Sequence, residues 1–332
     1  MSQRCQNSRA ATMTPMLRTA LTDLLELDVP VIGAPMAGVS DGRLAAAVTA
    51  GGGLGMIGVG NATTPAAIAA EAQQARDSGA RFGIGLMAWA LPHAPAQFDA
   101  TLAAQPALVS LSFGELAPWA GRLREAGIMV ATQVGFADEA RAAADQGVDL
   151  IVARGAEAGG HGHNLVATLP LLAGVLDAVT VPVLAAGGIG TARGLAAVLA
   201  AGAAGAWVGT ALLSCPEAAN TPAARAAVRA ASDTGTVYTS VFDIAQRIPW
   251  PPQYGGRGLA NEFSRRWAGH EDELAGDEDA SRQLTAARRR GDYDTAYIYA
   301  GQGVGLVTQE RPAAELVAAL AAGAERLLRR WG

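Results

Sequence analysis

The chain has 332 residues, half of them hydrophobic and 17% charged. That is ample apolar material for one large or two ordinary domains, and it excludes disorder over most of the length. A formal net charge of −5 gives no whole-molecule field for nucleic acid, and all 25 basic residues are Arg, which excludes Schiff-base aldolases, pyridoxal-phosphate enzymes and the GxxxxGK[ST] phosphate loop, each of which needs a Lys amine.

In chain order, the first 15 residues (MSQRCQNSRAATMTP) are polar and lack the apolar segment of a signal peptide; they are expected to be a disordered tail, with residues 1–27 forming tail and lead-in. From there, short apolar runs alternate with Ala-rich stretches. The runs are VPVIGAPM from Val29, LGMIGVG from Leu54, RFGIGLMAW from Arg81, LVSLSFG from Leu108, IMVATQVG from Ile128, LIVARG from Leu150, VPVLAAGG from Val181 and GAWVGTALL from Gly205. Near-continuous apolar runs of this length read as strands buried on both faces of a parallel sheet. Between them, Asp41–Ala50, Pro65–Ser78, Glu115–Ala126, Asp138–Gln146 and Thr191–Ala201 read as helices. Eight strands in strict alternation with helices predict an α/β fold of the (β/α)8 TIM-barrel type, with a doubly wound open sheet as the structural rival. Residues 214–300 have a different texture, including PWPP at Pro249–Pro252, an acidic stretch at Glu271–Asp279 and Arg288–Arg290. Pro312–Arg330 then reads as a long amphipathic helix. The expected organisation is a barrel of residues 28–213 plus 301–332, interrupted after strand eight by a mostly helical subdomain over 214–300. The charge runs are expected to be solvated faces. No apolar run reaches the roughly 18–20 residues of a membrane span, and two Cys, Cys5 and Cys215, make neither a disulfide framework nor a thiolate zinc site. A cytoplasmic location is the expectation.

Barrel chemistry gathers at the C-terminal ends of the strands. Strands seven and eight end in Ala185-Ala186-Gly187-Gly188 and Gly209-Thr210. Glycines there let backbone amides approach phosphate oxygens closely, Thr191 can cap the following helix, and Thr210 offers a hydroxyl. Strand packing also favours glycine, so the pair is a phosphate-site candidate. Strand six ends at Arg154 and runs into Gly159-Gly160-His161-Gly162-His163. His161 is the catalytic candidate, because an imidazole among glycines is suited to moving protons near neutral pH. His163, His93 and His270 are expected to be structural or solvated, Cys215 structural, and no metal site is expected.

These strings resemble the FMN-dependent nitronate monooxygenases, formerly 2-nitropropane dioxygenases. The resemblance lies in PVIGAPMAGVSDGRLAAAVTAGGGLGMIG, DLIVARGAEAGGHGH, VPVLAAGGIGTARGLAAVLAAGAAGAWVGTALL and the tail GQGVGLVTQERPAAELV. It implies an FMN-binding TIM barrel with a smaller helical domain. Ala34, Pro35 and Met36 would lie along the flavin ring, and Gly159 and Arg154 would contact FMN, Arg154 standing where the family usually has Gln. Gly187 and Gly188, with Trp207, Val208, Gly209 and Thr210, would hold the phosphate end, and His161 would take the catalytic position. Two further departures are Phe82-Gly83-Ile84-Gly85 where the family often has FGVN, and Arg124 at a position commonly Lys. The implied activity is FMN-dependent oxidation of alkyl nitronates, and of nitroalkanes as a further option, by oxygen to a carbonyl compound and nitrite. The alternatives are an NAD(P)H-dependent enoyl-thioester or quinone reductase on the same barrel, a non-redox barrel enzyme acting on a phosphorylated metabolite, and a flavin-binding protein without turnover. The implied partners are a small-molecule substrate and oxygen, with no nucleic acid and no membrane; oligomeric state is left open, a homodimer being one option.

Overall fold

The computed structural model describes residues 17–330; the tail expected over residues 1–15, and Cys5 within it, lie outside them. Eight parallel strands form one sheet: Val31–Gly33, Gly55–Gly58, Phe82–Met87, Leu108–Ser112, Met129–Val134, Leu150–Arg154, Val183–Ala186 and Gly205–Val208. The first strand pairs with the eighth in register Ile32↔Trp207 and bridges the second at Ile32↔Leu54. The sheet therefore closes on itself as a TIM barrel, not as an open doubly wound sheet. Each predicted strand lies within its apolar run, because these segments are buried on one side by helices and on the other by the barrel interior.

That interior is filled by Ile32, Leu54, Met56, Leu108, Leu150, Val152, Leu184 and Trp207, together with Leu21 and Leu25. The last two come from a short helix, Ala20–Leu25, capped by Thr19, whose side chain accepts from the Thr22 amide in a reciprocal capping box. Thr19 Oγ1 also donates to the Ala204 carbonyl at 2.7 Å. The expected lead-in thus includes a structured plug whose two leucines are fully buried. The outer layer follows the predicted helices closely, including Ala192–Ala200, which Thr191 caps by accepting from the Gly194 amide. The last helix, Ala313–Leu328, packs against Ala192–Ala200 and Gly42–Ala50, the place of an eighth barrel helix.

Between Leu213 and Ala300 the chain forms helices Pro222–Ala230, Val241–Gln246, Glu262–Trp267, Glu271–Gly276 and Glu278–Arg290. It also forms two strands, Thr236–Thr239 and Gly256–Leu259, which the mostly helical expectation did not include. They pair antiparallel with each other, and the second pairs with a two-residue strand, Gly160–His161, in register Gly256↔His161. A separate apolar cluster of Val241, Phe242, Phe263, Trp267 and Leu284 holds the helices together. Among the described residues, no helix is long and apolar enough to cross a membrane.

Candidate active site

The C-terminal ends of the barrel strands open into a cavity of about 570 Å³, roofed by the segment between strand eight and the last helix. That volume falls in the usual range for cofactor and substrate sites. Of the residues expected at the site, Ala34, Pro35, Met36, Arg154, Gly159, His161, Gly187, Gly188, Trp207, Gly209 and Thr210 line it. Val208 does not. Strand residues alternate in direction, so with Trp207 turned inward Val208 faces the helix layer, where it is buried in the outer core.

One end of the cavity is built of backbone. Gly187 and Gly188 both have positive φ, 117° and 69°. A Cβ built on Gly188 would meet nothing within 4 Å. Among the described residues, the amides of Gly188, Ile189 and Gly190 donate to no protein acceptor. They lie at the entry to helix Ala192–Ala200, whose dipole favours an anion there. Thr210 Oγ1 accepts from the Gly301 amide at 2.9 Å, which leaves its own proton free to donate. Open space, unpaired amides and a helix start together make a cradle that fits a phosphate group.

The floor is Ala34-Pro35-Met36. The Pro35 ring lies against strand three so closely that a Cβ on Gly85 would sit 2.3 Å from Pro35 Cγ. This accounts for Gly85: an Asn there would collide with the floor. Gly159 also has a local cause, since a Cβ on it would sit 2.5 Å from the Gly301 amide nitrogen.

At the other end stands His161. Its Nε2 lies 2.9 Å from both carboxylate oxygens of Asp243, and its ring stacks on Trp250 with centroids 3.7 Å apart and planes 6° from parallel. Asp243 is buried and also accepts from the Tyr299 hydroxyl at 2.8 Å. Burial drives the Tyr299 phenol well above its ordinary range, reinforced by the Asp243 charge and hydrogen bond. Asp243, Trp250 and Tyr299 all line the cavity, and sequence reasoning missed them. All three come from the inserted segment, and the pairing of Gly160–His161 with Gly256–Leu259, with the bridge from Gly258 to Tyr299, brings that segment to His161. Phe113 completes this aromatic wall, edge-on to Trp250 at 5.4 Å. It holds a φ of 68°, a strained value for a bulky residue, at the rim of the site.

Arg154 is buried under the loop that carries His161. Its guanidinium donates to the carbonyls of Ala158, Gly159, Gly160 and His163 at 2.8–3.3 Å. Desolvation brings its pKa down to about 10, with the Arg257 charge adding to the fall and Tyr238 opposing it, so it remains a cation at neutral pH. It forms no ion pair with a carboxylate among the described residues. The four carbonyls it gathers set the curve of the loop, which Gly162 permits: a Cβ there would sit 2.4 Å from Arg154 Nη1. His163, on the same loop, points away from the cavity and pairs with Glu139 at 2.8 Å. The expected solvated charge run at Arg288–Arg290 is exposed, but Arg288 also lies 4.6 Å over the Tyr297 ring and lines the cavity mouth. The charged lining thus consists of Arg154, Arg288 and the His161–Asp243 pair, an excess of positive charge. Cys215 lies outside this cavity, buried, with its thiol raised to about 12 by desolvation and the nearby Glu217 and Glu310 charges.

Comparison with known proteins adds the following. The family model for nitronate monooxygenase matches residues 94–323, and that for the IMP dehydrogenase / GMP reductase domain matches residues 4–170. A nitronate monooxygenase of Paraburkholderia phytofirmans is 32% identical, covering 91% of this chain and 94% of its own. An indene-carboxyl-CoA dehydrogenase of Rhodococcus jostii is 37% identical over 60% of this chain and 56% of its own. Among solved structures, nitroalkane oxidase from Streptomyces ansochromogenes superposes with a TM-score of 0.81 at 31% identity, covering 95% of this chain and all of that one. FabK from Thermotoga maritima superposes with a TM-score of 0.84 at 28% identity, covering 95% and 98%.

Proposed function

The chain belongs to the nitronate monooxygenase family and is an oxidoreductase, and within that family we propose that it uses FMN and oxygen to convert alkyl nitronates to a carbonyl compound and nitrite. The observation that carries this reading is one cavity with a backbone phosphate cradle at Gly187–Gly190 and an imidazole backed by a buried carboxylate at the far end. The excess of positive charge along the lining suits an anionic substrate and disfavours an acidic protein group in its place.

On this reading the phosphate of FMN sits on the amides of Gly188, Ile189 and Gly190 and on Thr210, and Ala34, Pro35 and Met36 underlie the ring. When bound, FMN supplies the electron acceptor and the reactivity toward oxygen. The protein's own residues bind and orient. His161 takes the α-proton of a neutral nitroalkane, the C–H electron pair moving into the C=N bond of the nitronate, and as the imidazolium so formed it donates a hydrogen bond to the nitro oxygens. Trp250 covers one face of the imidazole, and with Phe113 it keeps water from that corner of the site. The FMN assignment is tested by the mass of the ligand released on heating; FAD, or no flavin after reconstitution with excess FMN, overturns it. The substrate assignment is tested by anaerobic mixing of the flavin-loaded protein with 2-nitropropane nitronate, which is expected to bleach the visible flavin bands.

A second reading, reduction of an enoyl thioester or quinone by NAD(P)H, is favoured by the likeness to FabK and to the CoA-ester dehydrogenase. Rapid bleaching by NADH with no response to nitronate would decide for it.

A further inference from the structure

Three groups at the far end of the cavity form a chain with one consistent direction. Tyr299 O–H donates to Asp243 Oδ1. A carboxylate has no proton to offer, so His161 Nε2, 2.9 Å from both oxygens, must carry the hydrogen between them. Nδ1 of the same ring has no hydrogen-bond partner among the described residues. The imidazole cannot turn over to exchange its nitrogens easily, because Trp250 lies flat on it at 3.7 Å and Tyr299 packs at 4.8 Å on a tilted plane.

From this geometry we infer that Asp243, itself oriented by Tyr299, is the positioning residue that fixes His161 in its Nε2–H tautomer, so that Nδ1 is the nitrogen presented to substrate with its lone pair free. The inference rests on the reading of His161 as the catalytic group and adds to it the atom that acts and the residue that selects that atom. The nitrogen that meets the substrate proton is thereby chosen by a residue 82 positions further along the chain, which acts through the imidazole. In a neutral imidazole only one nitrogen can accept, and which one is set by the partner of the other. The proton taken from a carbon acid goes to Nδ1, while the positive charge formed on the ring is shared with the buried carboxylate through Nε2–H.

The test uses the difference between a carboxylate and an amide. In Asp243→Asn, Tyr299 still donates to Oδ1. The amide nitrogen then takes the place of Oδ2, 2.9 Å from Nε2, where its N–H opposes the Nε2–H and is expected to outweigh the oxygen shared with Tyr299, which drives the imidazole to the Nδ1–H form and removes the free lone pair. Adding Tyr299→Phe releases the amide to rotate, so that its oxygen accepts from Nε2–H and the original tautomer returns. The chain has four His, so ¹⁵N-histidine spectra of the flavin-loaded protein are simple, and His161→Ala identifies the relevant signal. The expected result is an Nε2–H pattern in the native protein and an Nδ1–H pattern in Asp243→Asn. Turnover of 2-nitropropane is expected to fall by about 10²–10⁴-fold in the single variant, with both tautomer and much of the rate recovered in Asp243→Asn/Tyr299→Phe. A residue with a merely structural role would not be rescued by removing a second hydrogen bond. An unchanged tautomer in Asp243→Asn overturns the inference, as does a double variant slower than the single one. Full turnover in both Asp243→Asn and His161→Ala would instead overturn the reading of His161 as catalytic, whatever the tautomer shows.

Discussion

At the residue scale, two histidines two positions apart serve opposite ends. His161 faces the cavity with Asp243 behind it, whereas His163 turns outward onto Glu139 and packs between Phe136 and Tyr254. His161→Ala is expected to lower turnover by about 10²–10⁴-fold while keeping the fold and the flavin. A neutral nitroalkane, which needs its proton removed, should lose more than a preformed nitronate. His163→Ala should leave turnover within a few-fold of native; the reverse ranking in the same assay would exchange their roles. Gly188 works by what it lacks. Its positive φ strains any side chain although the space beside it is open, and a carboxylate there would face the proposed phosphate position. Gly188→Asp is therefore expected to yield folded protein that loses most of its flavin on gel filtration, and retained flavin would place the phosphate elsewhere.

The barrel strands were legible because burial on both faces leaves an unbroken apolar run with a glycine at its end. The helices were legible as Ala-rich stretches between those runs, one of them opened by the Thr191 cap. The glycine ends of strands seven and eight and the His161 loop were legible because backbone room is a composition signal. Asp243, Trp250 and Tyr299 were not, since each is a single residue in a stretch without periodicity, made relevant only by long-range pairing. Nor was Val208 separable from its neighbours by motif alone, because strand alternation decides which of them faces inward. The helix Ala20–Leu25 was hidden in what reads as a lead-in. It closes the barrel floor, and Leu21→Ala should cost about 2–5 kcal/mol in a denaturation midpoint analysis. A change under about 1 kcal/mol would mean that the plug contributes little to the core.

For the whole molecule, buried acids with raised pKa values make stability fall on the alkaline side. Cys215, raised to about 12, and Tyr299, raised well above its ordinary range, stay protonated in the folded protein at pH values where the unfolded chain releases those protons. Their contribution is complete below the unfolded thiol range near pH 8.5 and is lost as pH rises through the folded values. Thermal unfolding should therefore show a Tm that declines from about pH 9 upward, more steeply than in a Cys215→Ala, Tyr299→Phe variant. Parallel slopes in the two proteins would assign the alkaline loss to other groups.

The small sheet that joins Gly160–His161 to Gly256–Leu259 also bears on the order of assembly. Apart from the closing pair of strands one and eight, barrel strands find partners close by in sequence, so their contacts close short loops, while the contact between Arg257 and the Ala156 carbonyl spans 101 residues. Loop-closure entropy rises only slowly with length, yet the partner must already have been made. In a chain emerging from the ribosome all eight barrel strands precede residues 243 and 256, and until those exist His161 sits on a loop without the Asp243 carboxylate beside it. The corner proposed to handle the proton is thus completed by chain synthesised long after the imidazole itself.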